Sequence, residues 1–289
     1  MLRDVPHLLQ RDQDVRNRHP FAGPLMTMTT SAPNPRVARA VARRLWQAYG
    51  YEDIRELDLA DLALAEGVLV VESPLESADA WLVRNDQRGI IRIRASIPEP
   101  GRKRFAVAHE LGHWFLHKHV FQLFACTSED LAARYRGSPI EIEANLFASE
   151  LLMPTALFTS RARQSPPTFR CIEQLAAEFQ TSFSATAIRY TECANLPCAV
   201  ICSREGLVRW WIASRSFANH CGSSGGKSSS DGRSAVALSE ASPTPTIDLT
   251  LTALRATWSA HPALHNLSEE VLPMPEYNQQ IHLVWTPTR

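Results

Sequence analysis

The sequence predicts an α+β fold: a small, mostly antiparallel sheet with helices on either side of it in the chain, then a helix-turn-helix-like segment, then a β-hairpin. Three observations predict it. Apolar residues recur at three- and four-residue spacing after residue 35 and again after residue 102, the period of helices buried on one face. Between 68 and 94, three short stretches have strand composition, and GIIRIR alternates apolar with charged residues. Two further β-rich runs occupy 198–214, separated by Arg204-Glu205-Gly206, a short glycine-containing loop suited to a hairpin.

Each element has its own local signals. Val37, Ala38, Val41, Leu45 and Ala48 mark one helical face after Pro35, and Gly50 supplies a stop. A shorter helix covers Leu57 to Glu66 and ends at Gly67. VLVVE (68–72), AWLVR (80–84) and GIIRIR (89–94) read as strands, with Asn85-Asp86 giving turn chemistry before the last. After PEPG (98–101) a long helix runs from about Arg102 to Lys118. Another runs from about Pro139 to Leu152 and stops before Pro154. A third helical region, Ile172–Tyr190, breaks near Gln180-Thr181-Ser182. CAVICS (198–203) and LVRWWIAS (207–214) form the hairpin, on which the adjacent Trp210 and Trp211 point to opposite faces. Residues 219–246 have the Ser/Gly-rich composition of a linker. A helix near Leu249–Trp258 and a strand IHLVW (281–285) come after it. The expected organisation is a disordered extension over 1–34, with Met26 or Met28 as alternative starts, then an α+β domain over 35–160. Helices and hairpin occupy 161–218, the linker 219–246 and a small α/β segment 247–289.

Composition excludes some functions. At 289 residues the chain is long enough to bury a core without disulfide or metal staples. Its 30 Lys and Arg balance 30 Asp and Glu, a net charge of 0. Strongly electrostatic nucleic-acid binders and polybasic membrane proteins need a basic excess, which the overall balance does not supply. No apolar run approaches the ~20 residues of a membrane span. The charged N-terminus lacks the apolar stretch of a secretory signal, so the cytoplasm is the expected location. The six cysteines include no CxxC pair. Cys193, Cys198 and Cys202 cluster without a partner cluster and read as small buried residues.

The chemistry lies in His109-Glu110-Leu111-Gly112-His113. On a helix, positions i and i+4 share a face, so both imidazoles can reach one ion. Glu110 is offset by about 100° and can sit beside the ion without ligating it, placed to accept a proton. Phe105, Val107, Ala108 and Leu111 supply the apolar faces of a buried helix, and Gly112 marks close backbone packing. A catalytic zinc needs a third protein ligand. His117 lies ~12 Å along the axis from His109, too far to converge with both histidines. His119 has the spacing of a metzincin third ligand, but Leu116 stands where that motif needs glycine. Both read as helix-end residues favoured by the helix dipole. The better candidate is downstream, in EIEANLFASELLMP (141–154). Glu141 and Asn145 share a helical face, so one can ligate while the other orients a histidine. Glu143, about 200° around the helix from Glu141, is the competing ligand.

RFAVAHELGHWFLH (104–117) followed by EIEANLFASELLMP (141–154) resembles the ImmA/IrrE family of bacterial metallopeptidases. The resemblance covers about residues 35–215, including IEQLAAEFQTSFSATAIRY (172–190) and the REGLVRWW hairpin. It implies a zincin-like domain with His109, His113 and Glu141 as Zn2+ ligands and Glu110 as general base. It further implies restricted cleavage of a helix-turn-helix repressor, derepressing stress or mobile-element genes. The 43 or so residues after the linker look short for the C-terminal GAF-like sensor of long family members. Two histidines and a carboxylate also suit Mn2+ or Fe2+. An oxyanion donor could come from Tyr135 or from the 172–190 region.

Two competing readings remain at this level. The helix-turn-helix flavour of 172–190 suggests a DNA-binding or repressor-sequestering regulator with a non-catalytic metal site. From Arg161 to Tyr190, however, four arginines face two glutamates, a surplus of only two where DNA affinity needs many phosphate contacts. Structural packing or substrate docking is the preferred role for that segment. Arg102-Lys103-Arg104 oppose the dipole at a helix start, so they either contact something acidic or are simply solvated. Trp114 reads as packing beneath the site.

Overall fold

The structure is a computed structural model that describes residues 33–76, 78–85, 87–117, 124–126, 138–162, 167–220, 258, 264 and 266–287. His119, Tyr135, Cys221, most of the Ser/Gly-rich stretch and residues 249–257 of the expected late helix lie outside them.

Helix α1 (Pro35–Tyr49) starts and stops on its local signals. The Asn34 side chain accepts from the Val37 amide, Pro35 occupies the first turn, and Gly50 closes the helix in the left-handed conformation at φ 68°. Its Ala38, Ala42, Leu45 and Trp46 are buried, and the Trp46 indole donates to the Leu151 carbonyl at 2.9 Å. Helix α2 (Leu59–Ala65) is capped by Asp58, which accepts from the Ala60 and Asp61 amides.

The first sheet contains β1 (Val68–Ser73), β2 (Ala80–Arg84), β3 (Gly89–Arg94) and β4 (Phe124–Cys126), in the order β1-β3-β2-β4. β2 runs antiparallel to β3 and β4, but β1 pairs with β3 in parallel, Val68 opposite Gly89, so the sheet is mixed. The alternation of β3 has the expected outcome: Gly89, Ile91 and Ile93 are buried while Ile90, Arg92 and Arg94 are partly exposed. The buried face packs against α3 (Pro100–Leu116), which is buried continuously from Phe105 to Trp114. Helix α4 (Pro139–Leu152) crosses α3, and α1 packs on α4.

Three shorter helices come next in the chain: α5 (Thr155–Ala162), α6 (Phe169–Phe179) and α7 (Phe183–Cys193). The break between α6 and α7 falls where the sequence places it, with Gln180 left-handed at φ 51° and Ser182 capping α7. α5 is an element that the local sequence signals do not mark.

The second sheet is antiparallel throughout, in the order β6-β5-β8-β7. Its strands are β5 (Cys198–Arg204), β6 (Leu207–Ala213), β7 (Ser268–Met274) and β8 (Gln279–Trp285), with α8 (Arg215–His220) after β6. Glu205 and Gly206 both have positive φ, 54° and 76°, as a twist-compatible two-residue hairpin requires. A register shift between Cys202 and Ser203 divides the β5–β6 ladder. Trp210 packs on the main core, while Trp211 packs with Trp258 and Phe217 in a second cluster, so the two tryptophans face opposite ways. The main core runs from Ala38 on α1 to Trp285 on β8 and contains Cys198 and Cys202 as buried apolar residues. Among the described residues no helix is long and apolar enough to cross a membrane.

The crossing of α3 and α4 sets the geometry between their facing side chains. A Cβ on Gly112 would lie 2.9 Å from the Ala144 Cα and 3.1 Å from its carbonyl oxygen. The obstacle is backbone, which cannot rotate away. Gly112→Ala is therefore expected to push the two helices apart and destabilise the chain by about 1–3 kcal/mol. Urea unfolding measures that loss.

Candidate metal centre

Helix α3 carries His109 and His113 on the face turned to α4, and α4 answers with Glu141 and Asn145. Both histidines and Asn145 are buried, and Glu141 is partly so. The Nε2 atoms of the two histidines are 3.0 Å apart. The Glu141 carboxylate reaches both, Oε2 lying 3.1 Å from His109 Nε2 and Oε1 3.3 Å from His113 Nε2. Donor atoms of three side chains thus converge. Around a tetrahedral ion with bonds of about 2.0–2.1 Å, ligand atoms stand roughly 3.3–3.4 Å apart. The observed separations lie close to that, and the donor set fits a divalent cation.

The outer hydrogen bonds decide which nitrogens are available. His109 Nδ1 donates to Asn145 Oδ1 at 2.9 Å, which leaves its Nε2 lone pair for an ion. His117 Nε2 lies 3.0 Å from Glu143 Oε2, and a carboxylate only accepts, so His117 donates there. Its Nδ1 is then the acceptor for His113 Nδ1–H, 3.1 Å away. His113 in turn presents Nε2 to the shared point. His117 stands between Glu143 and the cluster: Glu141 meets the two histidines and Glu143 does not. His117 itself departs from expectation. It stands at the helix end as expected but is not partly exposed there: it is a buried link between His113 and Glu143, because the α3–α4 crossing brings a carboxylate onto it.

The electrostatics reflect this packing. Burial pushes His113 down to about 4, against the hydrogen bond to Glu141, so it is neutral near pH 7. Burial would lower His109 as well, but the Glu141 hydrogen bond and the charges of Glu110 and Glu141 outweigh it and raise it. Burial opposes ionisation of Glu141, yet the two imidazoles hold it well below the usual carboxylate range. A divalent cation at the convergence point would replace the proton that two carboxylates hold on His109. Glu110 is fully buried and outside the converging trio.

Arg84 completes the support, and no local sequence signal singles it out. Its guanidinium lies 4.5 Å over the Trp114 ring and donates to the His113 and Trp114 carbonyls at 3.4 and 3.2 Å. It thus occupies carbonyls of the last helical turn that carries His113. The basic cluster at the start of α3 has acidic partners within the chain. Arg102 pairs with Asp79 and Lys103 with Glu72, whereas Arg104 donates to the Leu57 carbonyl.

If the outer bonds set imidazole orientation, Asn145→Ala should weaken divalent-cation binding by roughly 10- to 100-fold, and Glu143→Ala toward the lower end of that range. Competition with a chromophoric chelator measures both. Unchanged affinity in both variants would remove the orienting role.

The family comparison points to the same helices. Residues 63–191 match the peptidase M78 family model, described as the IrrE N-terminal-like domain, and this span contains His109, Glu110, His113, Glu141 and Asn145. No curated protein matches the chain. Among solved structures, a Mycobacterium tuberculosis transcriptional regulator is similar, with 16% identity and a TM-score of 0.49 over 87% of this chain and 77% of that one. The match over 63–191 identifies an IrrE N-terminal-like domain in this chain and supports its assignment to the ImmA/IrrE family.

Proposed function

We propose that the chain is a zinc-dependent endopeptidase that makes restricted cuts in a protein substrate, by family resemblance a helix-turn-helix transcriptional repressor. The observation that carries this reading is the convergence of His109 Nε2, His113 Nε2 and the Glu141 carboxylate at 3.0–3.3 Å, with the opposite nitrogen of each histidine already engaged. His109, His113 and Glu141 would hold the ion. When bound, zinc would supply Lewis acidity toward a peptide carbonyl and acidify water. Glu110, one residue from His109 on the same helix, accepts the proton of the attacking water and returns it to the departing amine.

The DNA-binding alternative finds less support. A recognition helix must offer an exposed face to the major groove. α7 is buried at every residue from Ala185 to Thr191. That segment serves packing, and the protein-substrate reading needs nothing else of it.

Elemental analysis of the purified full chain tests the metal centre. About one zinc per chain is expected in the wild type, lost in both His113→Ala and Glu141→Ala. A wild type that holds no zinc after reconstitution would overturn the proposal. Retention by Glu141→Ala alone would move the third ligand elsewhere.

A further inference from the structure

A second site-like feature lies away from the metal centre. A cavity of about 890 Å³ opens between the start of α3, the start of α7 and the second sheet. Its walls combine an apolar body with a cationic end. Phe183, Trp210 and Ile281 supply the first, and Arg102 and Arg204 the second. Glu99 is the one carboxylate among the described lining residues, so two guanidiniums face one acid and the lining carries a net charge of +1.

The two arginines differ in how they are held. Arg102 is committed: its Nε and Nη2 donate to the buried Asp79 at 3.0 and 2.5 Å, and Nη1 lies 3.4 Å from the Tyr277 hydroxyl. That hydroxyl donates to Glu99 at 3.2 Å, which occupies the one acid of the lining. Arg204 is not committed. Its Nε is buried with no hydrogen-bond partner among the described residues, where its guanidinium makes one long bond, 3.4 Å from Nη2 to the Tyr277 carbonyl. Protein atoms close off that Nε, so the cavity meets the outer nitrogens of the partly exposed guanidinium, and an acidic group there would give them the charge-assisted bond that the long contact to Tyr277 does not. The first turn of α7, which lines the same cavity, adds the partial positive charge of a helix N-terminus.

We infer that this cavity binds a small amphipathic organic anion, its acidic group on Arg204 and its apolar body against Trp210, Phe183 and Ile281. Such a ligand would touch the helix that carries the metal-binding histidines, because Phe105 lines the cavity and stands one turn, about 6 Å along the axis, from His109. The wall is stiff at that point. A Cβ on Gly101 would collide with the Thr181 carbonyl carbon and lie 2.5 Å from the Ser182 nitrogen, so the start of α3 is locked against the α6–α7 turn. Neither metal nor cleavage enters, so the anion site stands or falls apart from the peptidase reading.

Fluorescence titration of the full chain with 1-anilinonaphthalene-8-sulfonate, an aromatic anion, tests it. Binding should saturate at about one probe per chain, with energy transfer from tryptophan that falls in Trp210→Phe. Decanoate should displace the probe, while inorganic phosphate, which has no apolar body, should not. Arg204→Gln should weaken binding by roughly tenfold or more through the lost charge-assisted bond, with Arg204→Lys intermediate. Circular dichroism of each variant must match the wild type, and Trp210→Phe provides the readout if Arg204→Gln does not fold. Equal binding by a folded Arg204→Gln, failure of decanoate to compete, or energy transfer unchanged in Trp210→Phe would each overturn the assignment. Equal displacement by phosphate would overturn it too, leaving an anion site with no apolar specificity.

Discussion

Glu110→Gln should keep about one zinc per chain while peptide-bond hydrolysis falls by roughly a hundred- to ten-thousand-fold, the range for losing a positioned general base. Gln preserves the shape of the side chain in a fully buried position, so packing changes little. Glu110 also lies outside the three side chains whose donor atoms converge. What it loses is the ability to take a proton. The substitution removes one negative charge beside His109, a charge that raises the proton affinity of that imidazole. Its removal weakens the hold on a cation and on the competing proton alike, so occupancy should survive. On the proposed reading, incubation with a helix-turn-helix repressor is the assay: wild type should shorten the repressor and Glu110→Gln should leave it intact. Cleavage at the wild-type rate would end the general-base role. Loss of zinc in Glu110→Gln would make this residue part of the metal centre itself.

Much of this site is legible in the sequence because helical periodicity is a local property. The spacing of His109 and His113 and that of Glu141 and Asn145 each define a face without reference to the rest of the chain. Which faces meet is not local. Glu141 and Glu143 stay rival candidates until the Gly112–Ala144 contact sets the rotation of α4 against α3. His117 reads as a helix end because its partner Glu143 comes from that same crossing, 26 residues away. The elements show a similar division. The three strands at 68–94 and the turn at Gln180 are visible locally, but the parallel β1–β3 pair is not, since strand order is settled by packing. Pro154 reads as a stop, and it also precedes α5, whose first amide is capped by Glu150 from the preceding helix. β7, with Glu269, Glu270 and Pro273, lacks strand composition and owes its conformation to pairing with β8. Its position at the sheet edge explains how Pro273 is tolerated.

Arg189→Met should destabilise the chain by about 3–5 kcal/mol, the cost of removing one partner from a buried charge cluster. Arg189 and Glu150 are both 1% exposed. The guanidinium donates to Glu150 at 2.7 Å, to Glu192 at 2.8 Å, to the Thr155 hydroxyl at 2.9 Å and twice to the Met153 carbonyl at 3.0 and 2.7 Å. It ties α7 to the end of α4 and the start of α5. Without it the Glu150 carboxylate keeps Thr155 and a 3.5 Å contact with the half-exposed Arg43, too little to offset its desolvation. Arg189→Lys should also fail, because one ammonium cannot reach all of these acceptors at these angles. Urea unfolding measures the loss. Adding Glu150→Gln to Arg189→Met should cost less than the sum of the single changes, since the stranded charge is then gone. Strict additivity would mean that the two side chains are not coupled. The result also separates two roles for the helix-turn-helix-like segment. An arginine that contacted DNA phosphate would lose affinity and salt dependence on substitution and leave stability nearly unchanged. One that clamps the end of the helix bearing Glu141 and Asn145 does the reverse, and its burial predicts the reverse.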